Sequence, residues 1–430
     1  MNNTQDKKKP EEIHNLHYYI DHIRYDMTNL IKWLVLAVLT GLSVGFISSL
    51  FARVLKFVTN YRTEHFWVFF LLPVSGLIIV FLYQKFGQED GGTNQVLSTI
   101  RSQDDVPFRS APLIFVSTIL THFAGGSAGR EGAAIQLGGS IGNQLGSWFH
   151  LDEEDRHVMV MCGMSAAFSA LFGTPLAAAI FSMEVVSVGI MHYSALLPCV
   201  IASLTAHGVA AVCGITPEIF PISSIPAFAP KTALIIGVFA VLCAVVSILF
   251  CTILHNAERL YKRFFKNPYL RVIIGGCIVI ALTLLVGDQT YNGTGMSIIA
   301  SCMEGKPVFP LAFLLKMLFT GATLGAGYKG GEIVPTLFIG ATFGTFFATV
   351  TGCSIPLCAA VGMGAVFCGV TNSPITSLLI CFELFGFEGM PYFLIAIALS
   401  YMLSGYYGLY SSQKIIYSKY KTEYINRKTH

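Results

Sequence analysis

The chain has 430 residues, of which 54% are hydrophobic and only 12% charged, with a formal net charge of +3. Soluble domains carry about 25% charged residues, so this composition excludes an ordinary globular enzyme and places the chain in a lipid bilayer. The small net charge gives no reason to propose nucleic acid as a partner. Eleven cysteines without CxxC spacing argue against a disulfide framework or a metal cluster, and no cofactor is expected.

Met1 to Glu12 is polar and includes Lys7, Lys8 and Lys9, which is not the pattern of a secretory signal. Residues 1–30, with Ile13, Leu16, Ile20 and Ile23 at helical spacing, are expected to form an arm lying along the membrane surface. Long apolar runs follow at 33–57, 68–86, 191–214, 230–254, 271–287 and 391–407, enough to span at about 20 residues per helix. Shorter runs lie at 111–125, 133–149, 174–190, 309–320, 333–350 and 374–386. Bounded by Gly and Pro, these predict half-helices or steeply tilted helices, tolerated at membrane depth only where protein or a water-filled cavity surrounds their open ends.

One pattern occurs twice, about 200 positions apart. Gly163 to Phe168, Pro175 and Glu184 are answered by Gly362 to Phe367, Pro374 and Glu383. Gly129-Arg130-Glu131-Gly132, Gly138 and Gly142 are answered by Gly331-Glu332-Ile333-Val334, Gly340 and Gly344. Gly92-Thr93-Asn94 is echoed by Gly293-Thr294-Gly295. Such duplication predicts a transporter whose substrate site lies between the halves. Basic residues crowd the start, Arg259 to Arg271 and the end, whereas 214–229 has none. The positive-inside rule then predicts two halves of opposite orientation. The expected order is a cytoplasmic arm (1–30), a first membrane repeat (31–213), an extracellular linker (214–229), a second, inverted repeat (230–420) and a cytoplasmic tail (421–430), with both termini in the cytoplasm of a multi-pass cell-membrane protein.

Glu131, between Gly129 and Gly132 and before the apolar run from Ala133, is expected at a helix N-terminus inside the membrane. An ionisable group there costs about 2.5–3.5 kcal/mol and reads as functional. Helix N-termini bind anions, so a carboxylate that occupies such a place when charged and leaves when protonated is a proton-operated gate. The alternative is that Glu131 caps a helix or pairs with Arg130. In the second half, Gly330 and Gly331 permit a sharp turn, Pro335 suits a first helical turn, and the N–H groups of Ile333 and Val334 are free to face an ion. Glu332 either caps that helix or faces the extracellular vestibule. In the loop Glu89-Asp90-Gly91-Gly92-Thr93-Asn94, Thr93 or Asn94 is an N-cap or an ion contact. Tyr410 offers a phenol to an anion, although position alone favours an interfacial anchor. Glu184 and Glu383 suggest a shared cap or buried hydrogen bond. Gly125 to Gly129 matches G-x-S-x-G, but without the strand, acid and His of a nucleophile elbow it reads as helix packing, not an enzyme site.

These residues resemble the CLC family of chloride channels and proton-coupled anion exchangers over almost the whole chain. Gly129-Arg130-Glu131-Gly132 is similar to the family's G-[KR]-E-G-P motif, and Gly330 to Pro335 to its G-x-F-x-P region. Gly91 to Gln95 falls where the family has G-S-G-I-P, and Tyr410 at its pore tyrosine. The resemblance implies an all-α, inverted-repeat fold of tilted and broken helices, and a homodimer with one anion pathway per subunit. It further implies that Glu131 is the external gate, that Tyr410 and the N–H groups of Ile333 and Val334 bind the central anion, and that Thr93 or Asn94 stands near the pore serine. Ala133 replaces the motif's proline and Ile333 its phenylalanine. Glu184 is followed by Val185, where many proton-exchanging members carry a second acid. The expectation is therefore transport of chloride or similar halides gated by protonation of Glu131. Fluoride/proton antiport is the alternative, suggested by Gly-Gly-Glu-x-x-Pro and Asn94. A cation-coupled carrier of an organic substrate is more distant.

Overall fold

The computed structural model describes residues 16–87, 91–102, 106–222 and 225–429, with side chains from residue 21 onward. Glu89 and Asp90, named in the loop before Thr93, lie outside the described residues, as do residues 1–15 of the arm.

The first half runs α1 (Leu16–Glu64), α2 (Leu72–Phe86), α3 (Thr93–Thr99), α4 (Ser110–Phe123), α5 (Glu131–Trp148), α6 (Glu153–Phe172), α7 (Pro175–Glu184) and α8 (Leu196–Val212). The second half repeats that order of lengths: α9 (Pro230–Phe264), α10 (Pro268–Val286), α11 (Met296–Met303), α12 (Ala312–Gly325), α13 (Ile333–Thr351), α14 (Ile355–Thr371), α15 (Pro374–Phe385) and α16 (Met390–Leu403). Small and apolar residues dominate the buried interior, because each central helix meets protein on all sides.

Three sequence expectations need correction. The arm is not separate from the first span, since α1 runs unbroken for 49 residues through the expected boundary at residue 30. The run 391–407 is a helix of only 14 residues, whereas the marginal run 333–350 is a helix of 19 and, among the described residues, one of six long and apolar enough to cross a membrane. Helices α6 and α14 were not among the apolar runs at all. In α6 the acidic first turn Glu153-Glu154-Asp155 and the many small residues lower the hydropathy, whereas α14 is as apolar as α13 but only 17 residues long.

The repeated glycines let helix backbones touch. A Cβ on Gly138 would lie 2.1 Å from the carbonyl oxygen of Gly163, and one on Gly163 2.0 Å from that of Gly138. The second half reproduces this crossing, with 2.4 Å for Gly340 against Gly362 and 2.2 Å for the reverse. Any side chain at these positions would force α5 from α6, or α13 from α14.

Helices α7 and α15, of 10 and 12 residues, each begin with proline at the first helical position. At 1.5 Å per residue they extend about 15–18 Å, half the hydrocarbon thickness, so their open N-termini lie within the protein and need acceptors. Glu184, ending α7, accepts from the N–H groups of Ile375 (3.0 Å) and Thr376 (2.8 Å) and from the Thr376 hydroxyl (2.6 Å) at the start of α15. Glu383, near the end of α15, accepts from Leu176 (2.9 Å) and Ala177 (2.8 Å) at the start of α7.

A small three-stranded sheet, not anticipated from sequence, closes one end. Strand β1 (Ser187–Val188) pairs in parallel with β2 (Lys414–Tyr417), which pairs antiparallel with β3 (Tyr424–Lys428).

Candidate functional site

The two halves meet at their glycine motifs. Gly129 N–H donates to the Gly331 carbonyl (2.6 Å) and Gly331 N–H to that of Gly129 (2.8 Å), an isolated antiparallel bridge. It brings the starts of α5 and α13 side by side, so the first-turn N–H groups of both helices gather at the centre of the molecule. Gly331 has no room for a side chain, since a Cβ there would lie 2.5 Å from the Gly132 nitrogen, and one on Gly129 would be tight at 3.1 Å from the Gly331 carbonyl oxygen.

Glu131 is the first residue of α5 and wholly buried. Its carboxylate accepts from the Arg130 N–H and from Arg130 Nε, both at 3.1 Å. Arg130 in turn donates to Glu218 Oε1 (2.7 Å) and to the Leu171 carbonyl (3.3 Å). The pairing with Arg130 is thus present, and Glu218 shares the same guanidinium.

Two cavities are lined by the chain neighbours of Glu131 or by residues that contact those neighbours. One, about 400 Å³, is lined by Arg53, Lys56, His122, Arg130, Glu218 and Thr294, among others. The other, about 420 Å³, is lined by Asn94, His255, Arg259, Lys262, Glu332, Ser411 and Thr429, among others. Glu131 itself lines neither; Arg130, which precedes it, lines the first, and Gly132, which follows it, lies against Glu332 of the second, where a Cβ would be 3.2 Å from Glu332 Oε2.

Glu332 occupies the cap position of α13 without making a side-chain cap bond. The cap reading therefore does not hold, and Glu332 lines the cavity bordered by Arg259 and Lys262. Among the described residues its buried Oε2 has no hydrogen-bond partner. Ile333 and Val334 are buried at the first two positions of α13, where helix geometry gives their N–H groups no intrahelical acceptor, and Pro335 follows in the first turn.

The N-cap expectation for Thr93 or Asn94 is also corrected, because the cap residue of α3 is Gly92, with φ 67°. Thr93 instead donates to the Gly132 carbonyl (3.3 Å), which ties α3 to the residue beside Glu131. Asn94 Oδ1 accepts from the Ser412 N–H (3.0 Å) and hydroxyl (3.1 Å), so what its amide has left to offer the cavity is a donor. Tyr410 is only 2% exposed, which removes it from the membrane interface, and its buried hydroxyl has no hydrogen-bond partner among the described residues. Buried hydroxyls are nearly always hydrogen-bonded, so an orphan beside free helix-start N–H groups has the chemistry of an anion site.

Sequence reasoning missed several residues here. His122 lies with Nε2 3.2 Å from the Gly129 carbonyl and lines the cavity with Arg130. Lys316 is fully buried, with Nζ donating to the carbonyls of Tyr291 (3.1 Å) and Gly293 (2.7 Å), and Arg62 donates to Gln289 (2.8 Å). Among the described residues neither cation has a carboxylate partner. A lone Lys inside the apolar run 309–320 was the available signal. Ser127 of the G-x-S-x-G match is buried against the Thr320 hydroxyl (3.1 Å) at the contact of the two halves.

The family described as voltage gated chloride channel matches residues 75–405. A "Chloride/fluoride channel protein" of Pseudomonas syringae pv. tomato is 34% identical over 421 residues, covering 96% of this chain and 90% of the relative. Among solved structures, a CLC-type fluoride/proton antiporter superposes with a TM-score of 0.86 at 32% identity, covering 89% of this chain and 98% of that one. A slow cyanobacterial Cl⁻/H⁺ antiporter shares the fold, with a TM-score of 0.76 at 20% identity over 86% of this chain and 94% of that one.

Proposed function

Since the chain belongs to the voltage-gated chloride channel family, CLC, we propose that this multi-pass membrane protein moves small halide anions across the bilayer, with protonation of Glu131 as the gate. The observation that carries the reading is the position of Glu131: a fully buried carboxylate at a helix start, whose neighbour Arg130 lines one cavity and whose neighbour Gly132 lies against Glu332 of another. While charged, it holds Arg130 and occupies the place where an anion would pass. Protonated, it loses the charge that repels the anion, and the positive ends of α5 and α13 become available to chloride or fluoride. Tyr410, Asn94 and the N–H groups of Ile333 and Val334 then supply neutral donors. These hold a dehydrated anion strongly enough to admit it and weakly enough to release it. Thr93, bonded to the residue beside the gate, acts as its support. In this reading a homodimer in the lipid bilayer carries one pathway per subunit, with both termini in the cytoplasm because the basic segments lie there.

Exchange of fluoride for protons is a second reading. It is favoured by Glu332, whose unpartnered carboxylate oxygen lines the cavity and lies against Gly132, next to Glu131. An acid so placed gives a proton a stop on its way to the gate, at a different position from Val185, which is apolar and buried. The likeness to a fluoride/proton antiporter supports the same reading.

Paired anion and proton fluxes from liposomes, with chloride and fluoride tested separately, decide between the two. Anion flux without linked proton movement establishes the channel form. Fluoride efflux that drives proton uptake, abolished in Glu131→Gln, establishes exchange. Absence of both fluxes would overturn the function.

A further inference from the structure

We propose that the C-terminal strand is part of the wall of the cavity that holds Glu332, and that Thr429 is a positioning residue for Tyr410; the inference rests on the anion-pathway reading above. The segment Asn426-Arg427-Lys428-Thr429 is polar and basic, the composition of a solvated tail. Instead it returns to the site. Strand β3 runs back along β2 with Ile415 opposite Arg427 and Lys414 opposite Lys428, which carries residue 429 to the level of Gln413. There the Thr429 N–H donates to the Gln413 carbonyl (3.2 Å) and its hydroxyl to the Tyr410 carbonyl (2.7 Å). Thr429 is buried and lines the cavity together with Asn94 and Glu332.

Because the Tyr410 hydroxyl has no protein partner, nothing at the tip of the ring fixes its direction. Its placement falls to the backbone. The Tyr410 carbonyl accepts from the Gln413 N–H (2.9 Å) and from Thr429, and the preceding Leu409 N–H donates to Val370 (2.9 Å). Gln413 is itself held by both halves, donating to the carbonyls of Val185 (2.8 Å) and Thr371 (2.9 Å). Lys419 anchors the turn of the hairpin through the Tyr401 carbonyl (3.0 Å) and the Ser404 hydroxyl (3.1 Å). The Thr429 hydroxyl is therefore one of two bonds at the Tyr410 carbonyl. Without it the ring has freedom that an anion ligand must lose again on binding.

The test uses the full-length protein in liposomes and compares wild type, Thr429→Val, Thr429→Ser, Tyr410→Phe and the Thr429→Val/Tyr410→Phe double variant. The anion concentration for half-maximal flux is measured with sodium fluoride and with sodium chloride. Thr429→Val is expected to raise it about three- to tenfold, the equivalent of one hydrogen bond, and Thr429→Ser to restore it. In the Tyr410→Phe background Thr429→Val should add little, since both act on one contact. An active wild type with Thr429→Val saturating at the same concentration, or with effects that multiply in the double variant, would overturn the inference. Should Thr429→Val not fold, Thr429→Ala against Thr429→Ser reads the same bond. A wild type that moves neither anion overturns the pathway reading itself, a result distinct from either.

Discussion

Glu184 and Glu383 exchange helix ends. Each stands at or near the end of one half-helix and caps the start of the half-helix that carries the other, so the two repeats are joined by a reciprocal pair of carboxylate caps. Neither half can satisfy its own short helix. That dependence explains why a fold with open helix starts at membrane depth holds together: the N–H groups left open by one repeat are the donors that the other repeat's acid requires.

Glu184→Ala removes three hydrogen bonds and leaves the buried Thr376 N–H at the start of α15 without its acceptor. With hydrogen bonds to a charged group contributing about 1.5–3 kcal/mol, the variant should lose about 2–3 kcal/mol and melt several degrees lower in detergent. Glu383→Ala should behave alike. Unchanged melting of both would show that the caps are not structural.

Glu131→Gln keeps the shape of the gate and removes its proton. Under the proposed gating by Glu131, wild-type flux should rise as pH falls, and Glu131→Gln should give flux independent of pH over the same range. A pH-dependent flux of wild-type form in Glu131→Gln would place the gate on another group.

Tyr410→Phe separates binding from stability. The hydroxyl makes no bond to protein, so its loss should leave the melting temperature unchanged or slightly raised, while apparent anion affinity falls about three- to tenfold, as for one lost hydrogen bond. A marked fall in stability would mean that the hydroxyl serves the fold and not the ion.

Gly138→Ala places a methyl group 2.1 Å from a backbone oxygen that cannot move without shifting α6. Overpacking of this kind costs about 1–3 kcal/mol or more, and the yield of folded protein should drop. Gly208, in α8, has nothing within 4 Å of the same built position, so Gly208→Ala is the control and should be neutral or stabilising by about 0.5–1 kcal/mol. Equal behaviour of the two variants would contradict the crossing.

The amino-acid sequence alone determined that the chain belongs in a membrane, that its two halves share one pattern, and that Glu131 lies at a helix start among glycines. Composition, apolar run length and residue spacing are local or periodic properties, and they survive without coordinates. Tertiary structure decided which ends meet. Glu184 and Glu383 were legible as a matched pair, but not as caps on each other's repeat, because no spacing along a chain records an antiparallel approach between segments about 200 residues apart. Hydropathy hid α6, whose acidic first turn and small residues suit a helix wrapped in protein; α14 is apolar, and its 17 residues fall short of a full span. The unpartnered hydroxyl of Tyr410, the return of Thr429 to its carbonyl, and the cavity that holds Glu332 were likewise invisible, since burial and hydrogen-bond satisfaction exist only once distant parts of the chain have packed.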